Sequence, residues 1–295
     1  MKPSRFSYER PESLAQALEL LNSASVQGRE ARIMAGGQSL IPMMNYRIVK
    51  PDLVIDISRL LELDRIRIGT SGGLVVGALS RHSTMERSDL VAQYFPVVRE
   101  AVQHVAHLAV RNMGTIGGSL AHADPAAEWP LLVRLLDATL VVTSVRGERR
   151  IPASDFFISI LTTAIERDEL LSQIEFPLLP DGSGSAFDEF SRRHGDYALA
   201  GVGVCLTAHE GHVRQARVAL MGLGDTPLRS SEAEAVLTGQ AWSEDLMHLA
   251  IEQGCAALTP RQDLNASSDY RRHLTAVLMA QTLKTAWSRA TGTAQ

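Results

Sequence analysis

Two stretches in which glycines and hydroxyls follow a strand-like run constrain this chain most: AGGQSLIPMMNYR, residues 35–47, and RNMGTIGGSLAHADPAAEWP, residues 111–130. A strand that ends in Gly-Gly and leads into a helix can aim consecutive N–H groups at one anion, because glycine admits positive φ and close approach. In the first stretch Gln38 and Ser39 add side-chain donors beside Gly36 and Gly37. Taken alone it is a tight turn. The second stretch shifts the balance, with Gly114, Gly117 and Gly118 inside five residues, the hydroxyls of Thr115 and Ser119, and the carboxylates of Asp124 and Glu128. Two such loops suit a pyrophosphate between two mononucleotide halves, with a carboxylate to accept from ribose hydroxyls. No G-x-G-x-x-G follows a strand and no G-x-x-x-x-G-K-[ST] occurs, so a dinucleotide site here belongs to neither the Rossmann nor the P-loop class.

Composition removes other classes. Of the 29 basic residues only Lys2, Lys50 and Lys284 are lysines, the arginines are scattered, and the net charge is −4, which leaves no basic field for nucleic acid. Cys205 and Cys255 are too few for a disulfide framework and too few for an iron–sulfur cluster, so any such cluster is expected on another chain. No apolar run approaches the ~18 residues of a membrane span. MKPSRFSYERPE has no apolar h-region, and a cytoplasmic location is expected.

The order of signals along the chain predicts an α+β protein. Pro11 ahead of Leu14, Ala17, Leu18 and Leu21 predicts a helix with proline in its first turn; ARIM predicts a buried strand, and DLVIDIS a second. RIRIGTSGGLVVGAL and ATLVVTSVRGERRIP predict hairpins, the latter turning at Arg146-Gly147, and residues 84–107 a helix. The literal G-x-S-x-G at Gly69–Gly73 precedes a strand rather than a helix, so it is a hairpin turn and not a nucleophile elbow. PLLPDGSGS, residues 177–185, marks a domain boundary, giving residues 1–177 (subdomains 1–58 and 59–177) and 178–295. Beyond it, three strand-like runs and then three helical runs at 230–238, 243–257 and 267–290 predict a C-terminal domain of three-stranded antiparallel sheet and three helices.

Remaining polar residues carry weaker signals. His104 and His107 read as a helix-packing pair rather than metal ligands, and no metal site is expected. Asp64 and Asp137 read as solvated, and Leu274, Val277, Leu278 and Leu283 as a core stripe. On residues alone Tyr197, in FSRRHGDYALAGVGV, reads as a strand-edge tyrosine with a satisfied hydroxyl, although a tyrosine there could stack on a flat heterocycle.

The two glycine loops and RRHGDYALAGV occur in order at spacings that resemble the FAD-binding medium subunits of bacterial molybdenum hydroxylases, the group of the carbon monoxide dehydrogenase medium chain and the flavin domain of xanthine dehydrogenase. The resemblance implies a fold of the p-cresol methylhydroxylase and vanillyl-alcohol oxidase type, two subdomains clasping FAD and a C-terminal domain covering the isoalloxazine. Carried over by motif, Arg32, Ile33, Met34, Ala35, Gly36, Gly37, Gln38 and Ser39 would cradle the pyrophosphate. Thr115, Ile116, Gly117, Gly118 and Ser119 would oppose them. Glu128 would take the place of the ribose-binding acid, with Asp124 beside it, and Leu171 and Tyr197 would approach the flavin ring. Ser119 stands where that loop commonly has Asn, and Asp188-Glu189 where xanthine dehydrogenase-like domains have a Lys, which removes a cation from the neighbourhood of the ring.

The function implied is that of an electron-transfer flavoprotein subunit with no catalytic acid, base or nucleophile of its own. A molybdenum cofactor on a large partner chain and two 2Fe–2S clusters on a small one would complete a heterotrimer, paired into a dimer. The competing readings are a stand-alone FAD-dependent oxidase of the same flavin fold and a flavin-less assembly subunit.

Overall fold

A computed structural model describes residues 1–293. The first 58 residues form a parallel sheet of β1 (Ser7–Glu9), β2 (Ala31–Met34) and β3 (Leu53–Asp56), in the order β1-β3-β2, with α1 (Leu14–Val26) and α2 (Leu40–Asn45) in the connections. Helix α1 starts because the Ser13 hydroxyl accepts from the Gln16 N–H at 3.2 Å. Pro11 therefore lies ahead of the helix rather than in its first turn. Ala17, Leu18, Leu21 and Ala24 recur at helical spacing and bury against Leu53, Ile55 and Ile57. Strand β2 is half-exposed rather than buried, since it pairs only with β3 and stands at the sheet edge.

The second subdomain is built on an antiparallel sheet of β4 (Ile66–Ile68), β5 (Leu74–Gly77), β6 (Thr139–Ser144), β7 (Gly147–Pro152) and β10 (Leu170–Phe176), in the order β4-β5-β10-β6-β7. Gly69–Gly73 is the β4–β5 turn. Between β5 and β6 run α3 (His82–Arg87), α4 (Asp89–Tyr94), α5 (Pro96–His104), α6 (Leu108–Arg111), α7 (Ile116–His122) and α8 (Glu128–Leu135). The single helix expected over 84–107 is thus three. Ser88 caps α4 by accepting from Val91 N–H, and Pro96 forces Phe95 out of helical geometry before α5 begins. A short α9 (Ala153–Phe156) and the hairpin of β8 (Phe157–Ser159) and β9 (Thr162–Thr163) lead into β10.

The C-terminal domain has β11 (Ser183–Phe190), β12 (Ala200–His209) and β13 (His212–Met221) in antiparallel order, followed by α10 (Ser231–Leu237), α11 (Glu244–Ala256) and α12 (Ser268–Thr291). A two-residue edge strand, β14 (Leu228–Arg229), joins the three expected strands. Along β12, Val202, Val204 and Leu206 face the helices of their own domain, while Cys205 joins the core of the second subdomain with Phe187 and Met221. The period of two along the strand thereby puts one sheet between two cores. Val277 lies 42% exposed, off the stripe that buries Leu274, Leu278 and Leu283.

Polar bonds reinforce this seam. Asp137, expected to be solvated, pairs with Arg217 at 3.2 Å and Arg229 at 2.7 Å, and Arg229 also donates to the Arg134 carbonyl at 3.1 Å. The tight turn between α8 and β6, with Asp137 itself at φ 49°, brings this carboxylate to the C-terminal sheet. Asp64 is exposed.

Candidate functional site

The first glycine loop leaves its donors unused. Among the described residues, the backbone N–H groups of Ala35, Gly36, Gly37, Gln38 and Ser39 find no acceptor in the chain. Such a run of uncommitted donors is costly unless water or a ligand takes them, and it suits an oxyanion. Gly37 holds φ at +71°, and Gly36 lies flush against the second loop, where a methyl group would sit 2.0 Å from the Met113 carbonyl oxygen. The Gln38 amide folds back on its own loop, donating to the Gly36 carbonyl at 3.0 Å, while Ser39 Oγ caps nothing. Met34, Ala35, Gly36, Gly37 and Gln38 line a hollow of about 420 Å³. Ile41, Pro42, Ser58 and Met113 complete its walls and were not expected from sequence. Met113 lies inside the second quoted stretch, and a fuller reading of that run would have found it.

The second loop is the opposite case. Ile116 N–H donates to Ser80 O at 3.0 Å, Gly117 N–H to Ala78 O at 2.8 Å, Gly118 N–H to Thr115 Oγ1 at 3.1 Å and Ser119 N–H to Thr115 O at 3.0 Å. The expectation that Gly117 and Gly118 offer free N–H groups therefore fails, because Thr115 caps α7 and the strand end at Ala78 takes the rest. Gly117 is bare for packing: a Cβ there would lie 2.5 Å from Ala78 Cβ. Gly118 is exposed, and a Cβ there would lie 2.9 Å from Thr115 Oγ1 and 3.9 Å from Ala35 Cβ of the first loop. The loop thus offers clearance and the half-exposed Ser119 rather than a nest of donors.

Downstream of α7 the chain turns through Ala123 in the left-handed region, and Asp124 Oδ1 accepts from Ala126 N–H at 2.9 Å. Glu128 opens α8 with 9% of its surface exposed, and burial, followed by the Glu189 and Asp124 carboxylates, pushes it up to about 8. Tyr197 keeps 60% of its surface accessible, yet burial and the Asp124 and Glu128 carboxylates push its phenol up to about 12. The ring is therefore reachable from solvent although protein and two carboxylates lie near its hydroxyl. It lies in the β11–β12 connection rather than at a strand edge, and its hydroxyl has no partner among the described residues. The same connection carries His194, stacked on His107 with ring centroids 6.5 Å apart. His107 thus leaves the helix and does not pair with His104, which instead meets Glu189 at 3.6 Å.

Of the expected residues only Met34, Ala35, Gly36, Gly37 and Gln38 line the hollow; Ser39, the second loop from Thr115 to Ser119, Asp124, Glu128 and Tyr197 lie outside it, and Arg32, Ile33 and Leu171 are committed elsewhere. Arg32 is exposed and pairs with Glu30 at 2.9 Å, and half-buried Ile33 packs against the edge of the first subdomain's core. Leu171 is 5% exposed within the core of the second subdomain.

Residues 4–179 match the FAD binding domain in molybdopterin dehydrogenase, and residues 185–286 match the CO dehydrogenase flavoprotein C-terminal domain. The chain belongs to this flavoprotein family. It is 40% identical over 98% of its length to the 6-hydroxypseudooxynicotine dehydrogenase complex subunit alpha of Paenarthrobacter nicotinovorans, covering 97% of that subunit. With the glyceraldehyde dehydrogenase medium chain of Sulfolobus acidocaldarius it shares 37% identity, over 96% of this chain and 99% of the other. The solved carbon monoxide dehydrogenase of Hydrogenophaga pseudoflava superposes with a TM-score of 0.93 at 35% identity, over 98% of this flavoprotein chain and 99% of the matched one. No helix among its described residues is long and apolar enough to cross a membrane.

Proposed function

We propose that this chain is the FAD-carrying subunit of a molybdenum-containing hydroxylase, taking electrons from iron–sulfur clusters on a small partner chain and passing them to an external acceptor. The observation that carries the reading is the run of five uncommitted N–H groups from Ala35 to Ser39 beside a hollow of about 420 Å³. The residues present fit the cofactor: bare backbone donors for the pyrophosphate beside the hollow, and Gly118 of the second loop close to Ala35 of the first. When bound, FAD supplies the exchange between two-electron and one-electron chemistry, while the chain holds and tunes it.

The rest of the machinery is expected elsewhere. Cys205 and Cys255 are buried on opposite sides of the C-terminal sheet, one in each core, and burial pushes both thiols up, so they do not hold a cluster together. Partners would be a large molybdenum-cofactor subunit and a small iron–sulfur subunit, in a dimer of heterotrimers in the cytoplasm.

Expression of the chain alone tests this. It should purify with, or take up, a flavin that acid precipitation releases, and small heterocyclic substrates with a dye acceptor should leave that flavin oxidised. Substrate-driven reduction by the single chain, at the rate of a complete complex, would instead make it a stand-alone oxidase. A chain that takes up no flavin would refute both.

A further inference from the structure

One arginine is shut inside the C-terminal domain and gives most of its donors to backbone carbonyls. Arg271 stands near the start of α12 with 1% of its surface exposed. Its Nη1 donates to the Leu199 carbonyl at 2.6 Å and to the Gly222 carbonyl at 2.9 Å, and its Nη2 to Asp263 Oδ2 at 2.7 Å. Asp263 is fixed in turn, since its Oδ1 accepts from the Asn265 N–H at 2.8 Å and the Ala266 N–H at 3.1 Å. Both carbonyls belong to segments that reach the domain seam. Gly222 follows β13, and its N–H donates at 2.9 Å to the carbonyl of Pro125, in the turn after α7. Leu199 ends the β11–β12 connection, with its N–H bonded to the Phe190 carbonyl at 2.8 Å. The connection is also held further back, where the His194 ring stacks on His107 of the second subdomain and a Cβ on Gly195 would lie 2.6 Å from His107 Cε1. Tyr197 lies between the two anchors, 60% exposed.

We propose that Arg271 is a positioning residue, whose buried guanidinium holds the carbonyls of Leu199 and Gly222 at one point and so sets where Tyr197 stands against the cofactor; the last step rests on the flavin reading above. Burying a guanidinium is costly, and stability alone would be served as well by an apolar side chain of similar volume. An apolar side chain could not hold two carbonyls from different segments within reach of one nitrogen. Gly222 takes part in the same arrangement, with φ at +77° and the Leu199 carbonyl oxygen 2.9 Å from where its Cβ would be. Lysine is no substitute here, because its ammonium is a point charge without the planar fork that reaches Asp263 and the carbonyls together. A shift of Leu199 would carry Tyr197, two residues away, with it. The cradle at residues 35–39 belongs to the first subdomain and would be untouched.

The experiment is residue-resolved hydrogen exchange on the full chain, free of flavin. In Arg271→Lys the N–H groups of Leu199 and Gly222 should exchange roughly tenfold faster or more, the effect of losing a charge-assisted hydrogen bond, while those of α1 and β3 keep wild-type protection. Asp263→Asn keeps an oxygen for the Asn265 and Ala266 N–H groups but removes the charge that orients the guanidinium, and it should loosen the same two sites to a smaller degree. Acceleration spread evenly over the chain, or none at Leu199 and Gly222, overturns the tie. If Arg271→Lys does not fold, Asp263→Asn decides alone. With FAD added, both variants should bind the flavin within about threefold of wild type yet alter its visible circular dichroism, in the same sense as Tyr197→Ala does. A bound flavin whose spectrum ignores Arg271→Lys overturns the positioning role. A wild-type chain that takes up no flavin removes the flavin reading, and with it the step from Tyr197 to the cofactor, while the exchange still decides the tie.

Discussion

The two glycine loops look alike in sequence and do opposite things with their backbones. In residues 35–39 every N–H is left without an acceptor, whereas in residues 116–119 every N–H is already spent on Ala78, Ser80 or Thr115. Glycine therefore has two unrelated uses here. Gly37 supplies a left-handed φ of +71° that opens a nest, while Gly117 supplies the absence of a side chain where α7 meets the end of β5. A rule that equates Gly-rich loops with anion binding is right about one of them.

The largest effect should come from the loop that is packed. In Gly117→Ala the new methyl would meet Ala78 Cβ at 2.5 Å and Ala78 O at 2.6 Å, and backbone cannot rotate away as a side chain can. A loss of about 3 kcal/mol or more is expected, with or without flavin, which urea unfolding of the two forms would measure. A stable, flavin-free Gly117→Ala chain would place Gly117 with Gly37 and erase the contrast.

His82 provides the next largest test, because it seats the packed loop. Its Nδ1 accepts from Trp129 Nε1–H at 2.9 Å, and its ring lies under Gly114, 2.8 Å from where a Cβ would be. Burial, and then Arg111, push His82 down to about 4. A histidine lowered in the fold contributes stability that is fully present above 6.5 and is lost as pH falls through about 4. At about 1.4 kcal/mol per unit the window is worth roughly 3 kcal/mol. His82→Gln should flatten the fall of stability between those values, and an unaltered slope would show that the histidine is not the titrating seat.

The open loop should respond in the cofactor rather than in the fold. In Gly37→Val a β-branched residue must adopt φ near +71° with Ile41 Cγ1 3.2 Å from its Cβ. A strain of about 1–2 kcal/mol corresponds to roughly tenfold weaker flavin binding, with a smaller loss of stability than Gly117→Ala shows. Fluorescence titration with FAD would read it, and wild-type affinity in a folded variant would sink the cradle.

What the sequence made legible was whatever a residue type enforces locally. The hairpin turn at Gly69–Gly73, the strand run of β12 and the helical stripe of α1 follow from glycine conformation, from a run of strand-forming residues and from a period of 3.6, and each is in the structure. The break at Phe95-Pro96 is equally local, since Pro96 excludes helical geometry at Phe95, and it divides the helix expected over residues 84–107. The hidden part is whatever depends on acceptors far along the chain. Gly117 loses its N–H to Ala78, Asp137 gains arginines from the C-terminal sheet, and Glu189 meets His104 across the seam. Nothing in the glycine spacing distinguishes a spent donor from a free one. Arg32 and Ile33 likewise belong to the quoted region, but strand alternation turns one outward and the other against the edge of the core.

The smallest effect probes how a donor came to be spent. Thr115 is 5% exposed and its Oγ1 takes the Gly118 N–H at 3.1 Å, so Thr115→Val removes the cap while keeping the shape of the side chain. Loss of such a cap costs about 1 kcal/mol of stability. It also frees one N–H on the loop's exposed face, opposite Ala35, which converts the second loop a little towards the first. If the hydroxyl serves only α7, flavin affinity should change by less than about threefold, a few tenths of a kcal/mol, while the melting temperature falls. A hundredfold loss of affinity with an unchanged melting temperature would mean that Thr115 Oγ1 leaves Gly118 for the cofactor on binding. The packed loop would then be a cradle that opens only when occupied, and the difference between the two loops would be one of timing rather than of kind.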